Sequence, residues 1–386
     1  MTVFLLKEKH AVIAAALLAV ILLGWYTGMG RPQEKTPAGE IKHAHTSLEL
    51  AGWWKSIELA LQTKGVDVAF DIVSELYLAE PVFAKNCHGF VHKLGRAAYH
   101  EFRAYGILPS SPKISSCGYG FYHGFMEALT QTSRDLSVAR EFCSEAQKRL
   151  ALVLGDACFH GIGHGAVNMT ESRAGNKAQA LIDRALAICE KVARVETDYL
   201  RCSSGVFMEI AKYYTEEKGG LVLDRNDPLK VCREQKERDK NDCYTQMNGA
   251  LNWLTKNNFT NGAKYVERIS EDAYAQGTIL ALISTSVNLN KPDHTPEIFS
   301  CRSLSLRLRL HCIKGIALGF MLRWSPGNEH QRALQFCATP IMMAEEKMAC
   351  QELVMKELRY RYTIEKFMEI CESYTAGSAR KLCSAG

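Results

Sequence analysis

The side chains in this chain best placed to do chemistry are five histidines. His88/His92 and His160/His164 are i,i+4 pairs, a spacing that puts both imidazoles on one helix face about a turn apart. One ion can reach both rings of such a pair, and helical metal sites use this spacing. His123 takes the same motif position as His92 and His164, and Glu127 continues its face by one further turn. In a fourth motif Met208 replaces the histidine, with Glu209 beside it. Three or four neutral imidazoles with a carboxylate suit zinc, copper or iron, and an added methionine would tilt the choice towards copper. The expected ligands are therefore His88, His92, His123, His160 and His164, with Met208 as an extra. Glu127 or Glu209 would act as general base or outer partner. His100 extends the first stripe through Arg96, a residue expected to repel a cation there. His43, His45, His294, His311 and His330 lie outside the motif phase.

The four motifs share one form. HGFVH (88–92), YGFYH (119–123), HGIGH (160–164) and SGVFM (204–208) all carry glycine, an apolar residue and then His or Met at fixed offsets. The glycine follows a cysteine by three positions in CGYG, CFHG, CSSG, CIKG and the terminal CSAG. In CHG (87–89) the interval is one shorter. The unit after Cys243 keeps the place without the glycine, and QGTIL (276–280) keeps the glycine without the cysteine. Successive motifs are about 31 to 44 residues apart, the size of a two-helix repeat, which makes roughly nine units. Glycine inside a helix costs about 1 kcal/mol relative to alanine. Its recurrence at one phase predicts close helix–helix approach.

Cysteines number 14, an even count. Six couples, 143/158, 189/202, 232/243, 301/312, 337/350 and 371/383, are separated by 15, 13, 11, 11, 13 and 12 residues. The first member ends an apolar-periodic helix, as Cys189 does in ALAICEKV, and the second lies inside the next, as Cys202 does in RCSSGVFMEIAKYY. Antiparallel helices joined by a short loop bring such positions within disulfide reach. Cys87 and Cys117 pair by elimination, giving about seven disulfides worth roughly 2–4 kcal/mol each. Such usage belongs to an oxidising compartment. With no C-x-x-C present, zinc ribbons, thioredoxin-type dithiols and c-type haem attachment are excluded.

Residues 11–30 carry no charge and are long enough to cross a bilayer, with Trp25 and Tyr26 placed for an interfacial belt. No good A-x-A cleavage site stands between Gly24 and Pro32, so an uncleaved anchor is expected over residues 1–30. A flexible linker is expected over 31–47. The bulk of the chain would then lie in the periplasm or outside the cell, tethered by a single span. Composition is that of an ordinary folded protein, 47% hydrophobic and 23% charged. A net charge of +5 over 386 residues forms no basic stripe, which argues against nucleic acid as a partner.

The expected architecture is all-α: a solenoid of about nine stapled helical hairpins, with His-bearing repeats over 48–215 and continuous C-terminal repeats over 216–386. The arrangement resembles Sel1-like and tetratricopeptide-like helical-hairpin proteins, although the tetratricopeptide W-x2-L-G-x2-Y signature is missing. That resemblance implies a protein or peptide partner bound along a curved surface. The block C-H-G-x2-H … C-G-Y-G-x2-H-G … C-x-H-G-x-G-H also resembles uncharacterised exported bacterial proteins. There is no HExxH, G-x-S-x-G, phosphate loop or dinucleotide fingerprint. Two functions are consistent with these features. One is a membrane-tethered binding scaffold with a histidine-rich metal site. The other is a metal-dependent enzyme, hydrolytic or redox, or a haem protein using the same histidines.

Overall fold

The computed structural model describes residues 38–106, 112–115, 117–133, 136–149, 152–174, 177–289, 291–323 and 329–372. All regular structure among them is helical. The chain divides into two compact units, residues 1–51 and 52–386. Helix α1 (Ala38–Lys64) starts inside the expected linker, so residues 38–47 are helical. After Pro37 only Gly39 in that stretch disfavours a helix, and nothing stops it. The expected membrane span at 1–30 and the rest of the linker lie outside the described residues. Among the described residues no helix is long and apolar enough to cross a membrane.

In the second unit the motif-bearing helices form a packed row. Helices α2 (Val66–Ala79) and α3 (Pro81–Tyr105) open it, followed by α4 (Gly120–Thr132), α5 (Leu136–Arg149) and α6 (Leu152–Ala174). Next come α7 (Ala178–Val192), α8 (Glu196–Glu216), the short α9 (Lys230–Arg233), α10 (Glu237–Gln246) and α11 (Asn248–Leu254). The chain continues through α12 (Phe259–Val266), α13 (Asp272–Ser286), α14 (Thr295–Arg302), α15 (Leu306–Arg323), α16 (Glu329–Cys337), α17 (Ala344–Arg361) and α18 (Ile364–Glu372). Each of α3, α4, α6 and α8 packs on the next, and the row continues through α10 and α11 to α13, α15 and α17. Helices α5, α7, α12, α14 and α16 each lie against the row helix that follows them.

Local sequence sets the ends. Pro81 begins α3 with φ already suited to a first turn, and Gly106 closes it in the left-handed region. Asn258 caps α12 by accepting from the Asn261 amide.

Six disulfides are formed: Cys87–Cys117, Cys143–Cys158, Cys189–Cys202, Cys232–Cys243, Cys301–Cys312 and Cys337–Cys350, with Cα atoms 5.3–5.6 Å apart. Five of them join the two helices of a hairpin, as the spacing predicts. Cys371 is also disulfide-bonded, and Cys383 lies outside the described residues.

The row does not end at an open edge. Helix α17 packs against α6. There Tyr360 donates to Asp156, and the Arg361 guanidinium donates to the Tyr119 hydroxyl at 2.9 Å, across 242 residues of sequence.

Glycine contacts explain how closely the row packs. A Cβ at Gly124 would run into the His92 carbonyl, and one at Gly205 into the His160 carbonyl. Gly161 and Gly315, at the predicted phase, also face backbone of the preceding row helix, whereas Gly89 faces open space. Gly205→Ala should therefore cost about 1–3 kcal/mol through overpacking, while Gly89→Ala should add up to about 1 kcal/mol by helix propensity. Thermal melts of the two variants should move in opposite directions, and equal shifts would contradict this account of the packing.

Candidate metal centre

Helix α4 is the most enclosed element of the row, with every residue from 120 to 130 buried. His123 projects from it towards His160 and His164 on α6. Ring centroids lie 4.7 Å apart for His123–His160, 4.8 Å for His123–His164 and 5.0 Å for His160–His164. One ring nitrogen from each lies within 4.8 Å of the other two. His123 and His164 are 4% and 5% exposed. His160 is half-buried as a residue, but its Nε2 is sealed from solvent.

The hydrogen-bond inventory shows what these rings lack. Nδ1 of His123 and Nε2 of both His160 and His164 are buried without a hydrogen-bond partner. Leaving a buried polar atom unpaired costs about 1–3 kcal/mol, and each of these three clustered histidines bears that cost. His164 donates its Nδ1–H to Glu209 of α8 at 2.8 Å. That bond fixes the tautomer and leaves Nε2 with a free lone pair, the arrangement by which outer carboxylates orient metal-bound histidines. A buried His123–His160–His164 group of this kind could hold a metal ion.

Burial keeps the His123 and His160 rings neutral, which is the form a metal requires. Burial, followed by the neighbouring His160, His164, His88 and His92, drives the His123 pKa well below that of free imidazole. Burial, followed by His164, Arg201 and His88, does the same to His160. Burial raises the Glu209 pKa, but the hydrogen bond from His164 and the charge of Lys212 outweigh it and bring the carboxyl to about 2. The outer carboxylate is therefore ionised.

Of the five expected ligands, the structure gathers three. His88 and His92 stand beside them on α3. His88 is exposed, with its ring 5.2 Å from His123 and its Nδ1 donating to the Cys117 carbonyl at 2.9 Å. His92 lies 6.3 Å from His123, and burial followed by nearby positive groups lowers its pKa to about 3. Its Nε2 is 3.5 Å from Glu127.

Glu127 touches none of the three clustered rings in a hydrogen bond. It accepts instead from Arg96 at 2.8 Å and from Gln131 and Asn168 at 3.2 Å each. Arg96, expected to repel a cation, is thus paired by that carboxylate. Met208 is turned towards α11, lining a cavity of about 280 Å³ with Lys212, Gln246 and Asn248. Positions 208 and 209 lie about 100° apart around a helix, and it is Glu209 that faces α6. His100 is exposed at the end of the first stripe.

Sequence reasoning missed a polar network beside the triad. Asn168 sits near Glu127 and the Tyr213 hydroxyl, and Lys218 reaches both Asn168 and Glu171. Asn168 continues the four-residue spacing of His160 and His164, a signal that could have found it. No protein-family model matches the chain, and no curated protein or solved structure shows significant similarity to it.

The burial of neutral His123 and His160 has a pH consequence. Their folded pKa values lie below the unfolded value of about 6.5, so above that pH both states are neutral and nothing is lost. As pH falls below it, the unfolded chain takes up protons that the folded chain refuses. The metal-free protein should therefore lose up to about 1.4 kcal/mol per pH unit for each such histidine. Denaturant titrations at pH 7 and pH 5 measure the slope, and His123→Gln should flatten it.

Proposed function

We propose that this protein is a helical-repeat metal-binding protein that holds one zinc ion on His123, His160 and His164. The observation that carries the reading is the close approach of three buried histidines, each with a sealed and unpartnered ring nitrogen, with His164 oriented by Glu209. Three neutral imidazoles with a coordination position left over match the donor set of catalytic zinc sites rather than closed structural ones. Copper loses its main attraction once Met208 lines a different cavity. A haem would need a flat slot between its axial histidines, and ring centroids 4.7–5.0 Å apart leave no width for a macrocycle.

When bound, zinc would supply Lewis acidity or an activated water. The chain's own residues would do the rest. Glu209 fixes the His164 tautomer, α4 excludes bulk water, and Lys212, 3.4 Å from Glu209, offsets its charge. The enzyme reading stays within this proposal as metal-assisted hydrolysis.

The remaining row, from α10 onward, brings no histidine to the site, which supports reading it as a solenoid scaffold for a protein or peptide partner. The disulfides support an oxidising compartment. The uncharged run at 11–30 supports a single-span anchor with this unit in the periplasm or outside the cell.

Elemental analysis of the full-length chain, expressed with its disulfides intact, tests the metal reading. About one equivalent of zinc is expected, absent from the His123→Ala/His164→Ala variant. Glu209→Gln should weaken zinc binding about 10–100-fold, the usual effect of losing an outer partner. A fully folded chain that takes up no zinc, copper or iron on titration would overturn the proposal.

A further inference from the structure

One disulfide differs in kind from the others. Cys87–Cys117 spans 30 residues and ties the second turn of α3 to the turn before α4, whereas the other described pairs staple adjacent helices across 11–15 residues. Cys87 is the immediate neighbour of His88. Cys117 provides the carbonyl that accepts the His88 Nδ1–H at 2.9 Å.

The turn itself is strained. Cys117, Gly118 and Tyr119 have φ of 55°, 68° and 61°, and only the glycine adopts that region freely. Left-handed conformations at residues bearing a side chain persist where the surroundings over-determine them, and they cluster at functional sites. Here the surroundings do so from three sides. The disulfide holds Cys117, Arg361 from α17 donates to the Tyr119 hydroxyl at 2.9 Å, and Gly120 packs so tightly on the His88 carbonyl that a Cβ would come within 2.8 Å of it.

What this clamp controls is the state of one imidazole. By donating from Nδ1, His88 is left with its lone pair on Nε2, as His164 is by donating to Glu209. Its ring lies 5.2 Å from that of His123, close to the 4.7–5.0 Å spacing inside the triad, yet outside the group of three.

We propose that the Cys87–Cys117 disulfide and the turn it clamps are a positioning device for the metal site, presenting His88 Nε2 as a displaceable fourth ligand that fills the open coordination position until water or substrate takes it. This rests on the metal reading above. The device explains why the turn tolerates two strained residues and why this disulfide departs from the hairpin pattern. It also makes the fourth coordination position dependent on the disulfide.

Cobalt(II) titration of the full-length chain, followed by visible absorption, tests it, because the d–d bands report coordination number directly. Cys87→Ser/Cys117→Ser should weaken cobalt binding about 10–100-fold and change the bands in the same way as His88→Ala. Adding His88→Ala to the disulfide variant should then change neither further, since residues acting through one another are non-additive. Cys232→Ser/Cys243→Ser, a staple remote from the histidines, should leave affinity and bands as they were. Unchanged bands and affinity in a helical Cys87/Cys117 variant, or full additivity with His88→Ala, would overturn the inference. Should that variant lose its helical circular dichroism, His88→Ala with the disulfide intact decides the matter, and an unaltered spectrum refutes the fourth ligand. No cobalt uptake by the unaltered chain would defeat the metal reading and this inference together. Uptake indifferent to His88 would defeat this inference alone.

Discussion

The candidate site depends on how closely four helix backbones approach one another. Side chains of ordinary size would hold α3, α4, α6 and α8 about 8–10 Å apart. Glycines remove that spacing at each step: Gly124 lies on the His92 carbonyl, Gly161 on the Tyr122 carbonyl, and Gly163 and Gly205 on the Cys202 and His160 carbonyls. Imidazole is a short side chain, and rings from two helices meet only if their backbones nearly touch. The alternation of Gly and His in HGIGH is therefore one requirement, since the glycines bring the helices near enough for the histidines to share a point. Disulfides at Cys143–Cys158 and Cys189–Cys202 hold the outer helices α5 and α7 to α6 and α8, fixing the same helices from behind.

Much of this was legible in the sequence because it is local or repeated. Cysteines 11–15 residues apart at helix ends admit few pairings, and all five of the described hairpin couples formed. The glycine phase indicated close approach, and it holds at Gly120, Gly161, Gly205 and Gly315, while Gly89 has no neighbour to meet. The i,i+4 histidine pairs indicated shared faces. They could not show which pair reaches the third helix. That is decided by the rotation of α3 against α4, and it leaves His92 facing Glu127 rather than His160.

The illegible part is long-range. Nothing near Tyr119 in sequence announces Arg361, 242 positions away. The same holds for the seam in which Tyr360 meets Asp156 and stacks with Arg201 at 5.8 Å. An open helical stack would leave α3 and α17 at opposite ends. The contact of α17 with α6 joins helices far apart in the chain, and no single repeat encodes it. Arg96 was misjudged for a related reason. Its charge is visible in sequence, but the carboxylate that neutralises it stands 31 residues on, in another helix.

The electrostatic logic of the cluster follows from these positions. Burial among neighbouring imidazoles disfavours protonation of His88, His92, His123 and His160, so those rings are poor carriers of positive charge. The cluster is also poorly satisfied as a hydrogen-bonding environment. A core selected only for stability would replace such rings with apolar side chains of similar volume, which are neutral or better where a polar group has no partner. The surroundings show the opposite arrangement. Glu209 is held ionised and aimed at His164, Lys212 and Arg96 each sit against a carboxylate, and the strained turn at Cys117 is clamped where it touches His88. Glu209, Lys212 and Arg96 are paired, while Nδ1 of His123 and Nε2 of His160 and His164 are not. A divalent cation among His123, His160 and His164 would resolve that asymmetry.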